Sequence, residues 1–519
     1  MFIKKIEITS FRKLKNFNLD FSNSGKLDND KNMNLTIIIG ENGTAKTTVF
    51  EAIMDSFLNK KQCSHNDCTI EYMYGGKDFI SSKENAPIPN KIIVSTYTPI
   101  DKLNKYTGKS DYENVLRKTN IDRVNLQHIS TRILKHYVFD GQKEIDLIFK
   151  YIGYKNRNLI LEINPNKLNA LSEMARNAIS RLYNKYEDAS YLFEHNYEQN
   201  DLDETRKIYQ KELILFKENL ERETGRKIRV GIDLEKGRET ILRTLRNRSI
   251  YSRNQYIEPI YEICVLEILF VLYKMKILFS TSETLSQMRL QMLFMEFKGK
   301  RSNFFDINVF KFYHGGPEVL RRDLELLELC SISFWKELHI ENGNEYMPLS
   351  MLSSGELSLF LRIFDLYDYV EEDSIILIDE PETHLHPRWI KGYVEILNQI
   401  LGEKRCHVII ATHSPLIVSD VPKNSIIALK NNRGFIEQVK IRERTLGLNY
   451  DEVLSEVFGL EDDKGNMVRE YAKLIEKALE DDEFDKALAI YSQMADSDIR
   501  YKLYSKLRAY QEQKGERDV

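Results

Sequence analysis

The stretch Gly40–Thr48, with the sequence GENGTAKTT, decides the fold of this chain. It follows Asn34–Ile39, a run of mostly apolar, β-branched residues that predicts a parallel strand buried on both faces. A helix is predicted directly after it, over Lys46–Leu58. A turn of small residues between a strand and a helix N-terminus exposes successive backbone N–H groups, which bind phosphate oxygens. The sequence therefore predicts a nucleotide phosphate-binding loop.

The residues of this loop are candidates for contact with the nucleotide. They are Gly40, Asn42, Gly43, Thr44, Ala45, Lys46, Thr47 and Thr48. Lys46 would reach the β- and γ-phosphates, and the Thr47 hydroxyl would bind Mg²⁺. Ala45 stands where glycine usually precedes the lysine; because alanine is small and suits a helix start, we expect a working loop with slightly less room for phosphate. The alternative is an ordinary strand–turn–helix with a fortuitous lysine.

A second candidate half-site lies far downstream, where the apolar strand predicted over Ser374–Ile378 ends in Asp379 and Glu380. Successive residues of a strand point to opposite faces, so the two carboxylates have different tasks. Asp379 is predicted to hold Mg²⁺ through a water, and Glu380 to orient or deprotonate the attacking water. The alternative is a strand end that carries two solvated acids.

Two shorter segments bracket that strand. Ser353 and Gly355 lie just before a helix predicted over Leu357–Val370. A helix N-terminus with a serine is either a further anion site or simply an N-cap. His413 follows a strand predicted over His407–Ala411. Its imidazole could bond the γ-phosphate and sense hydrolysis, although a histidine at a strand end is otherwise unremarkable.

These motifs occur in the order found in ABC-type ATPases, and the chain resembles the SMC/RecF/OLD-like branch of that family. Further motifs that carry the resemblance are Phe11-Arg12-Lys13, Glu380-Pro-Glu-Thr-His-Leu-His-Pro387 and Thr412-His-Ser-Pro415. The resemblance implies an α/β fold: an ABC-type P-loop ATPase head, with a mixed sheet and flanking helices. It also implies ATP and Mg²⁺ as cofactors and places Arg12 among the nucleotide-binding residues.

In this family two ATP molecules are sandwiched between two subunits, with the phosphate loop of one subunit facing the signature serine of the other. The resemblance therefore implies a homodimer or a higher homo-oligomer. Lys46 and Thr47 of one chain would face Ser353 and Gly355 of its partner. Neither protomer would then own a complete reaction centre.

Two details of the family pattern need separate comment. His384 and His386 would lie in the loop that crosses the dimer interface, and the resemblance accounts for them without the metal cluster that Glu-x-His-x-His could otherwise form. The family also has a glutamine that reaches Mg²⁺ and water from the strand before the insertion. Here Ile92–Thr98 and the following Pro99-Ile-Asp101 occupy that place without a glutamine. Gln142 is a weak substitute, and the assignment stays open.

The composition is that of a globular chain. It has 519 residues and a mass of 61.1 kDa, with 42% hydrophobic and 30% charged residues, which argues against disorder. The 75 Lys+Arg and 79 Asp+Glu leave a net charge of −4, so any nucleic-acid contact must come from a local patch. The 5 cysteines fit a reducing compartment. The N-terminus lacks the apolar run of a signal peptide, and charges interrupt the apolar Ile260–Phe279, so we expect a cytoplasmic protein without a membrane partner.

The pattern of strands and helices divides the chain into four blocks. We expect an ATPase N-lobe over 1–100, a mostly helical insertion over 101–340, an ATPase C-lobe over 341–440 and a helical C-terminal region over 441–519. The insertion shows no sustained heptads, so a compact helical domain is expected rather than a long coiled coil. Within it, Arg206–Arg253 is rich in basic residues and is either a groove for nucleic-acid phosphates or a solvated helix face.

Three less specific segments indicate a particular group within this branch. Ile93–Asp101, Tyr151-Ile-Gly-Tyr154 and Leu446–Leu460 are similar to segments of the PtuA-like ATPases of Septu-type and retron-associated antiphage systems. In that family the ATPase works with a separate HNH nuclease, which implies a PtuB-like nuclease partner here. The acidic helical tail, about Lys464–Gln513, is the candidate docking site for it. DNA, or the RNA and DNA of a retron, is a further candidate partner.

Two other functions stay open. An OLD-type nuclease would need a C-terminal TOPRIM domain with metal-binding acids after buried strands. Asp496-Ser-Asp498 has the Asp-x-Asp pattern, but its flanks Lys486–Met494 and Arg500–Tyr510 are predicted helices. A RecF- or SMC-like repair ATPase or DNA clamp would use the same ATPase core. An adjacent gene for an HNH nuclease would favour the defence complex over the clamp.

Overall fold

The structure is a computed structural model of the 519-residue chain. It describes residues 1–22, 25–26, 30–58, 68–83, 85–96, 116–118, 126–138, 141–155, 158–163, 271, 274–275, 303–313, 315–329, 335–343, 345–383, 385–441, 444–458 and 466–515. Among the helices in these ranges, none combines the length and the apolar character that a bilayer crossing requires.

The strands and helices within the described residues follow one another in two interleaved series. The strands are β1 (Phe2–Phe11), β2 (Leu14–Asp20), β3 (Gly25–Lys26), β4 (Asn34–Gly40), β5 (Cys68–Tyr74), β6 (Lys77–Ile80), β7 (Ile92–Thr96), β8 (Leu116–Lys118), β9 (Ile160–Ile163), β10 (Asn303–Asp306), β11 (Trp335–Asn342), β12 (Glu345–Pro348), β13 (Ser374–Asp379), β14 (Cys406–Ala411), β15 (Ile426–Asn432) and β16 (Phe435–Val439). The helices are α1 (Lys46–Leu58), α2 (Leu126–Val138), α3 (Gln142–Ile152), α4 (Gly316–Leu329), α5 (Ser354–Tyr369), α6 (Pro387–Lys391), α7 (Tyr393–Leu401), α8 (Pro415–Val418), α9 (Tyr450–Glu456), α10 (Asn466–Glu480), α11 (Phe484–Tyr491) and α12 (Asp498–Gly515).

The largest sheet has the strand order β16-β15-β4-β14-β13-β7-β8, and β3 pairs with β4. Neighbours from β15 to β8 are parallel, whereas β16 and β3 join in the antiparallel sense, so the sheet is mixed. Strands β4, β13 and β14 are almost wholly buried, as expected for parallel strands that are covered on both faces. The α/β fold with a mixed sheet and flanking helices, as the resemblance implies, is confirmed.

Alternate residues of the buried strands pack into two different cores. Ile37 and Ile39 of β4 belong to the cluster that includes α2, α3, α5 and α7. Ile38 belongs to the cluster on the other face, which includes α1 and the N-terminal sheet. This division follows from the two-residue period of a strand, which sends successive side chains to opposite faces. A run of apolar residues is needed because neither face is exposed to water.

The N-terminal lobe adds a second, antiparallel sheet of order β2-β1-β5-β6. The hairpin predicted over Thr69–Tyr74 and Asp78–Ser81 is confirmed as β5 and β6. Gly75 and Gly76 form its turn with φ values of 55° and 82°. A tight hairpin turn with positive φ at both central residues suits glycine, which has no Cβ to clash. Helix α1 packs against this sheet and carries the phosphate loop at its N-terminus.

The segment expected to be a mostly helical insertion contains strands as well. Helices α2, α3 and α4 lie within it, but β9, β10 and most of β11 form an antiparallel sheet of order β10-β9-β11-β12. Strand β11 also crosses the expected boundary at residue 340. Strands β9 and β10 have only 4 residues each, and periodicity does not separate so short a strand from a helical turn. The basic segment Arg206–Arg253 lies outside the described residues.

The C-terminal region is helical where the structure describes it. Helices α10, α11 and α12 share an apolar cluster of their own, built around Ile475, Ala487 and Leu503. Asp496 and Asp498 lie at the start of α12, and Asp496 forms an ion pair with Arg500. In the described part of 441–519, the buried strands that a TOPRIM domain needs before its acids are not present.

Candidate active site

Parallel pairing brings the carboxyl ends of four strands, β4, β7, β13 and β14, to one edge of the large sheet. Ala411 at the end of β14 lies opposite Ile38 of β4 and opposite Asp379 of β13. Thr96 at the end of β7 lies on the other side of Asp379. The phosphate loop, the Asp379–Glu380 pair and the turn with His413 follow these strand ends, so all three motifs meet at the same edge.

The phosphate loop depends on positive φ at several positions. A Cβ at Gly40 would come within 2.5 Å of the carbonyl oxygen of Leu429 on β15, so glycine is required there. Gly43 has a φ of 88°, and Ala45, the residue before α1, has a φ of 64°. The expectation that alanine is suitable here because it favours a helix start is therefore wrong. Ala45 adopts the left-handed conformation, and helix α1 begins after it. The methyl group costs about 1 kcal/mol of local strain, which glycine would avoid.

Ala45→Gly should therefore relax the loop. We expect hydrolysis to rise a few-fold and nucleotide affinity to be equal or higher, because the left-handed conformation is open to glycine without strain. Phosphate release at saturating ATP and binding of a fluorescent ATP analogue measure the two effects. Ala52→Gly, within α1, is the matched control, and it should only lower the thermal midpoint. A slower Ala45→Gly enzyme would show that the methyl group has a positive role.

Lys46 lies folded over its own loop. Its Nζ donates to the carbonyl oxygen of Gly40 at 2.9 Å and lies 2.6 Å from Nε2 of His413. Burial lowers the pKa of Lys46, against the opposing effect of three nearby carboxylates. Burial and the neighbouring ammonium likewise lower the pKa of His413, so this imidazole is neutral at pH 7 and can accept from Lys46. The Lys46 ammonium is thus held at the carboxyl edge of the sheet by two acceptors, and phosphate oxygens can take their place.

Asp379 and Thr47 form the candidate magnesium site. The Thr47 hydroxyl donates to Oδ2 of Asp379 at 2.9 Å. The other oxygen, Oδ1, is buried without a hydrogen-bond partner. Burial raises the pKa of Asp379 to about 6. A carboxylate and a hydroxyl are ligands that Mg²⁺ prefers, and a buried, unpaired carboxylate oxygen is stabilised by a cation, so these residues fit the ion.

Glu380 follows Asp379 with a φ of 49°, an uncommon value for a residue with a side chain. Its backbone N–H donates to the carbonyl oxygen of Ala411 at 2.8 Å, which holds the turn against β14. Its carboxylate is part-exposed, and Oε1 lies 4.0 Å from Nε2 of His413. The strained turn thus aims Glu380 at the space beside Lys46 and His413, where a γ-phosphate and its attacking water would lie.

Glu382 is a site residue that the sequence analysis missed. Its Oε1 accepts from the backbone N–H of His413 at 2.7 Å. Burial raises the pKa of Glu382, although hydrogen bonds from the His413 backbone and the Thr412 hydroxyl oppose the shift. This carboxylate ties the turn after Asp379 to the turn that carries His413. The signal in the sequence was the Glu380-Pro-Glu382 segment, which places a second glutamate two residues after Glu380, close to the end of the strand.

The remaining candidates lie apart from this cluster. Ser353 is the N-cap of α5: its Oγ accepts from the Glu356 N–H, and Glu356 Oε2 accepts from the Ser353 N–H at 2.8 Å. Ser353 is exposed, and Gly355 lies two residues further along, against the ring of Trp389. The N-cap interpretation is therefore true locally, and it leaves the serine turn facing outward.

Arg12 is turned toward helix α1. It lies between β1 and β2 with a φ of 52°, and its Nη1 is 2.5 Å from Oε2 of the buried Glu51. Glu51 lies more than one helical turn beyond Lys46. The structure therefore brings Arg12 to the side of α1 and pairs it with a carboxylate, and direct contact with nucleotide stays a prediction.

Of the two histidines after Glu380, the structure describes one. His384 lies outside the described residues. His386 caps helix α6, where its Nδ1 accepts from the backbone N–H of Arg388 at 3.2 Å. Among the described residues, the side chains grouped closely enough to hold a metal ion are Glu162, Glu337 and His339, which lie elsewhere. His386 is thus used as a helix cap in this structure.

A family model for the "AAA ATPase domain" matches residues 1–418, a span that includes the phosphate loop, Ser353, Asp379, Glu380 and His413. The chain belongs to the AAA ATPase domain family. The candidate site at the sheet edge lies within the matched domain, and the order of its motifs and the mixed sheet agree with the ABC-type, SMC/RecF-like branch. The match continues through the described insertion, so the insertion is part of the domain as the family defines it.

This AAA ATPase is similar to curated proteins over part of its length. It is 35% identical to protein ea59 of Escherichia phage lambda over 144 residues, 28% of this chain and 27% of that protein. It is 30% identical to the Septu protein PtuA of Bacillus thuringiensis over 194 residues, 33% of this chain and 47% of the relative. It is 26% identical to the retron Ec83 probable ATPase of Escherichia coli over 155 residues, 27% of this chain and 28% of the relative. The chain thus spans between about a quarter and a half of the length of these three relatives.

Among solved structures, the chain is similar to the SMC head domain from Thermotoga maritima. The two share 12% identity and a TM-score of 0.29, over 85% of this chain and 100% of that one. The named relatives, the Septu protein and the retron ATPase, agree with the PtuA-like resemblance of the sequence motifs.

The glutamine of the family pattern is not supplied by Gln142. This residue begins α3, and the preceding Gly141 lies against the hydroxyl of Tyr367, near the end of α5. That end of α5 leads into the amino end of β13, whereas Asp379 lies at the carboxyl end. Gln142 is therefore at the opposite edge of the sheet from the candidate site. The residues after Thr96, where the glutamine would be expected, lie outside the described residues.

Proposed function

We propose that this AAA ATPase is the ATP-binding and ATP-hydrolysing subunit of an antiphage defence complex, that it forms ATP-sandwich dimers and that it controls a partner HNH nuclease. One observation carries the dimer. Lys46, Thr47, Asp379, Glu380 and His413 meet at one sheet edge, while Ser353 is exposed and forms its own hydrogen bonds with Glu356 and Leu357 at the start of its helix.

The chemistry divides among the residues of that edge. Lys46 would bind the β- and γ-phosphates in place of its present acceptors, Gly40 and His413. Thr47 and Asp379 would hold Mg²⁺, which supplies charge neutralisation at the phosphates. Glu380 would orient the water and accept its proton, and the released His413 would donate a hydrogen bond to an oxygen of the γ-phosphate. The missing part is a second set of donors on the far side of the phosphates.

The signature turn has the properties of such a set. Its helix N-terminus offers backbone N–H groups to an anion, and Ser353 adds a hydroxyl. Met351, next to this turn, is 71% exposed, although it is a large apolar side chain. An exposed methionine beside an exposed anion site is expected when a second copy of the chain covers both.

Mixing two inactive variants tests the sandwich. Lys46→Ala should lose nucleotide binding at its own loop, and Ser353→Arg should block the partner's site by bulk and charge. Each variant alone should be inactive, whereas an equal mixture should recover about a quarter of the wild-type rate, since half of the random dimers are mixed and each mixed dimer has one intact site. Phosphate release measures the rate, and Ser505→Arg on α12 is the matched control. Two folded variants that never complement would exclude the sandwich.

The defence role rests on the similarity to the Septu and retron relatives. An affinity-tagged chain should co-purify an HNH nuclease from the native host, and mass spectrometry would identify it. DNA cleavage by that complex should change between ATP and ADP, and it should respond to Glu380→Gln. Recovery of repair proteins in place of a nuclease would favour the RecF- or SMC-like clamp. DNA cleavage by the chain alone would favour the OLD-type nuclease.

A specific feature of the described insertion favours nucleic acid as a further partner. A groove of about 700 Å³ beside α3 is lined by Lys143, Lys150, Lys155 and Lys311. Asp146 is the acidic residue in its lining. The lysines are exposed, and none of them forms an ion pair with another side chain of the described ranges. Such a surface attracts phosphates through release of their counterions.

The double variant Lys150→Glu/Lys311→Glu tests this groove. It should weaken binding of a labelled DNA or RNA duplex and reduce the dependence of log affinity on log salt by about two, as expected for loss of two phosphate contacts. Fluorescence anisotropy across a salt series measures both quantities. Lys486→Glu/Lys506→Glu, in the C-terminal helices, makes the same change of charge elsewhere. Equal effects of the two pairs would show that only net charge matters.

A further inference from the structure

The signature serine is joined to the insertion sheet by a short connection of 4 residues. Strand β12 ends at Pro348, a 3-10 turn over Leu349–Met351 follows, and Ser353 then caps α5. Leu349 is fully buried, so the turn is anchored in the core while Ser353 is exposed. Any shift of the insertion sheet therefore reaches the signature turn directly.

Strand β11 braces that turn from one side. Glu337 accepts from Ser350 twice: Oε2 from the backbone N–H at 3.2 Å and Oε1 from the hydroxyl at 3.1 Å. Glu337 lies beside Glu162 and His339, whose side chains bond each other at 3.0 Å. These three could in principle hold a metal ion. Because both oxygens of Glu337 already serve Ser350, the group acts as a brace of the turn and not as an open ligand set.

The end of helix α3 supports the start of α5, where Ser353 lies. The Tyr154 hydroxyl, just beyond α3, donates to Oε1 of Glu356 at 3.1 Å. The other oxygen of Glu356 accepts from the Ser353 N–H, so a continuous chain of hydrogen bonds runs from Tyr154 to the signature serine. Burial raises the pKa of Tyr154, which keeps the phenol a donor near neutral pH.

The same end of α3 also holds the neighbouring helix α6. The Tyr151 hydroxyl donates to the carbonyl oxygen of Trp389. A Cβ at Gly392 would come within 3.2 Å of the Tyr151 ring, and the Trp389 ring lies 3.8 Å from the Cβ position of Gly355. Thus Tyr151 and Tyr154, which carry part of the sequence resemblance but have no role in the nucleotide site, contact helix α6 and the first turn of α5.

We propose that Tyr154 and Glu337 are positioning residues that hold the signature serine between α3 and the insertion sheet, and so couple the insertion to the nucleotide bound by the partner subunit. The inference rests on the proposed ATP sandwich, in which this serine acts on the neighbour's phosphates. A donor must be placed within fractions of an ångström to stabilise a transition state, and misplacement by about 1 Å costs on the order of a hundredfold in rate. A displacement of the insertion would therefore act on hydrolysis in the other protomer.

Tyr154→Phe tests the idea, because it removes the one hydroxyl and keeps the ring. We expect kcat to fall about tenfold, while the affinity of the phosphate loop for ATP in the same protomer is unchanged. Tyr74→Phe removes a comparable hydroxyl, which bonds Asn90 at 2.9 Å in the N-terminal sheet, and should leave kcat unchanged. Glu337→Gln should act in the same direction as Tyr154→Phe.

Mixed dimers separate positioning in the partner's site from a general structural loss. With excess Lys46→Ala protein, each Tyr154→Phe protomer obtains an intact signature turn from its neighbour, so its site should hydrolyse at the wild-type rate per site. With excess Ser353→Arg protein, the rate should stay low. A wild-type rate for Tyr154→Phe alone, or a defect that persists beside Lys46→Ala, would overturn the inference. If Lys46→Ala and Ser353→Arg themselves fail to complement, the sandwich has failed instead.

Discussion

Glu380→Gln should slow ATP hydrolysis by roughly 10²–10⁴-fold while ATP binding is retained. The change removes the group that accepts the proton of the attacking water and preserves the size of the side chain. The strained turn at Glu380 is held by its backbone N–H bond to Ala411, which glutamine keeps. Because closure would depend on the intact γ-phosphate, the variant should accumulate as an ATP-bound dimer.

Three measurements check this expectation together. Phosphate release gives the rate, a fluorescent ATP analogue gives the affinity, and size-exclusion chromatography with ATP and Mg²⁺ gives the oligomeric state. Glu372→Gln is the matched control: it changes the same residue type beside the opposite end of β13, where Glu372 is exposed. If Glu380→Gln hydrolyses ATP as fast as the control, Glu380 is not the catalytic base. If it no longer binds ATP, its role is in binding.

Asp379→Asn should stabilise the nucleotide-free protein and abolish Mg²⁺-dependent hydrolysis. The Asp379 side chain is buried and one of its oxygens has no hydrogen-bond partner, so ionisation of this group at neutral pH opposes folding. A pKa raised from 3.8 to about 6 corresponds to a cost of up to about 3 kcal/mol at pH 7. An amide has no charge to desolvate, and its oxygen can still accept from Thr47.

The sign of the pH dependence follows from the same shift. The folded state binds an extra proton between the unfolded pKa of 3.8 and the folded pKa of about 6. The wild type should therefore gain stability from this group as the pH falls below about 6, whereas Asp379→Asn should not. The difference in thermal midpoint between the two proteins should be largest at neutral pH and should narrow in acid.

Differential scanning fluorimetry across pH, without nucleotide or metal, measures that difference. Asp496→Asn is the control, since the Asp496 side chain is 99% exposed and its removal should leave the midpoint nearly unchanged. A lower midpoint for Asp379→Asn at neutral pH would contradict the argument from burial. A stabilised variant with normal Mg²⁺-dependent hydrolysis would separate the stability effect from the proposed metal site.

The elements around the nucleotide site could be predicted closely from the sequence. Helix α1 begins and ends as predicted at Lys46 and Leu58, and strands β4, β13 and β14 differ from their predictions by one residue at one end. These strands are long apolar runs bounded by polar turns, which is the strongest local signal for a buried parallel strand. The motifs lie directly at the carboxyl ends of these strands, and the parallel pairing of the strands places them at one edge.

Other features needed information that local patterns do not carry. In the insertion sheet β9 pairs with β10, which is far away along the chain. The sequence of a 4-residue segment does not reveal a pairing with so distant a partner. The left-handed conformation of Ala45 and the pairing of Arg12 with Glu51 likewise depend on neighbours from other elements. Gln142 was a candidate by its position in the sequence, and the direction of α3 places it at the wrong edge.

By itself the sequence predicted that this chain binds a nucleotide, because a glycine-rich turn, a lysine and a threonine between a buried strand and a helix already contain the chemistry of phosphate binding. The tertiary structure decided which side chains act on one another. It put Glu382 on the backbone of His413, left one oxygen of Asp379 without a partner, and held the signature serine between two parts of the insertion. Contacts of this kind arise only when distant segments pack, since their energy depends on burial and distance in space and not on neighbours along the chain.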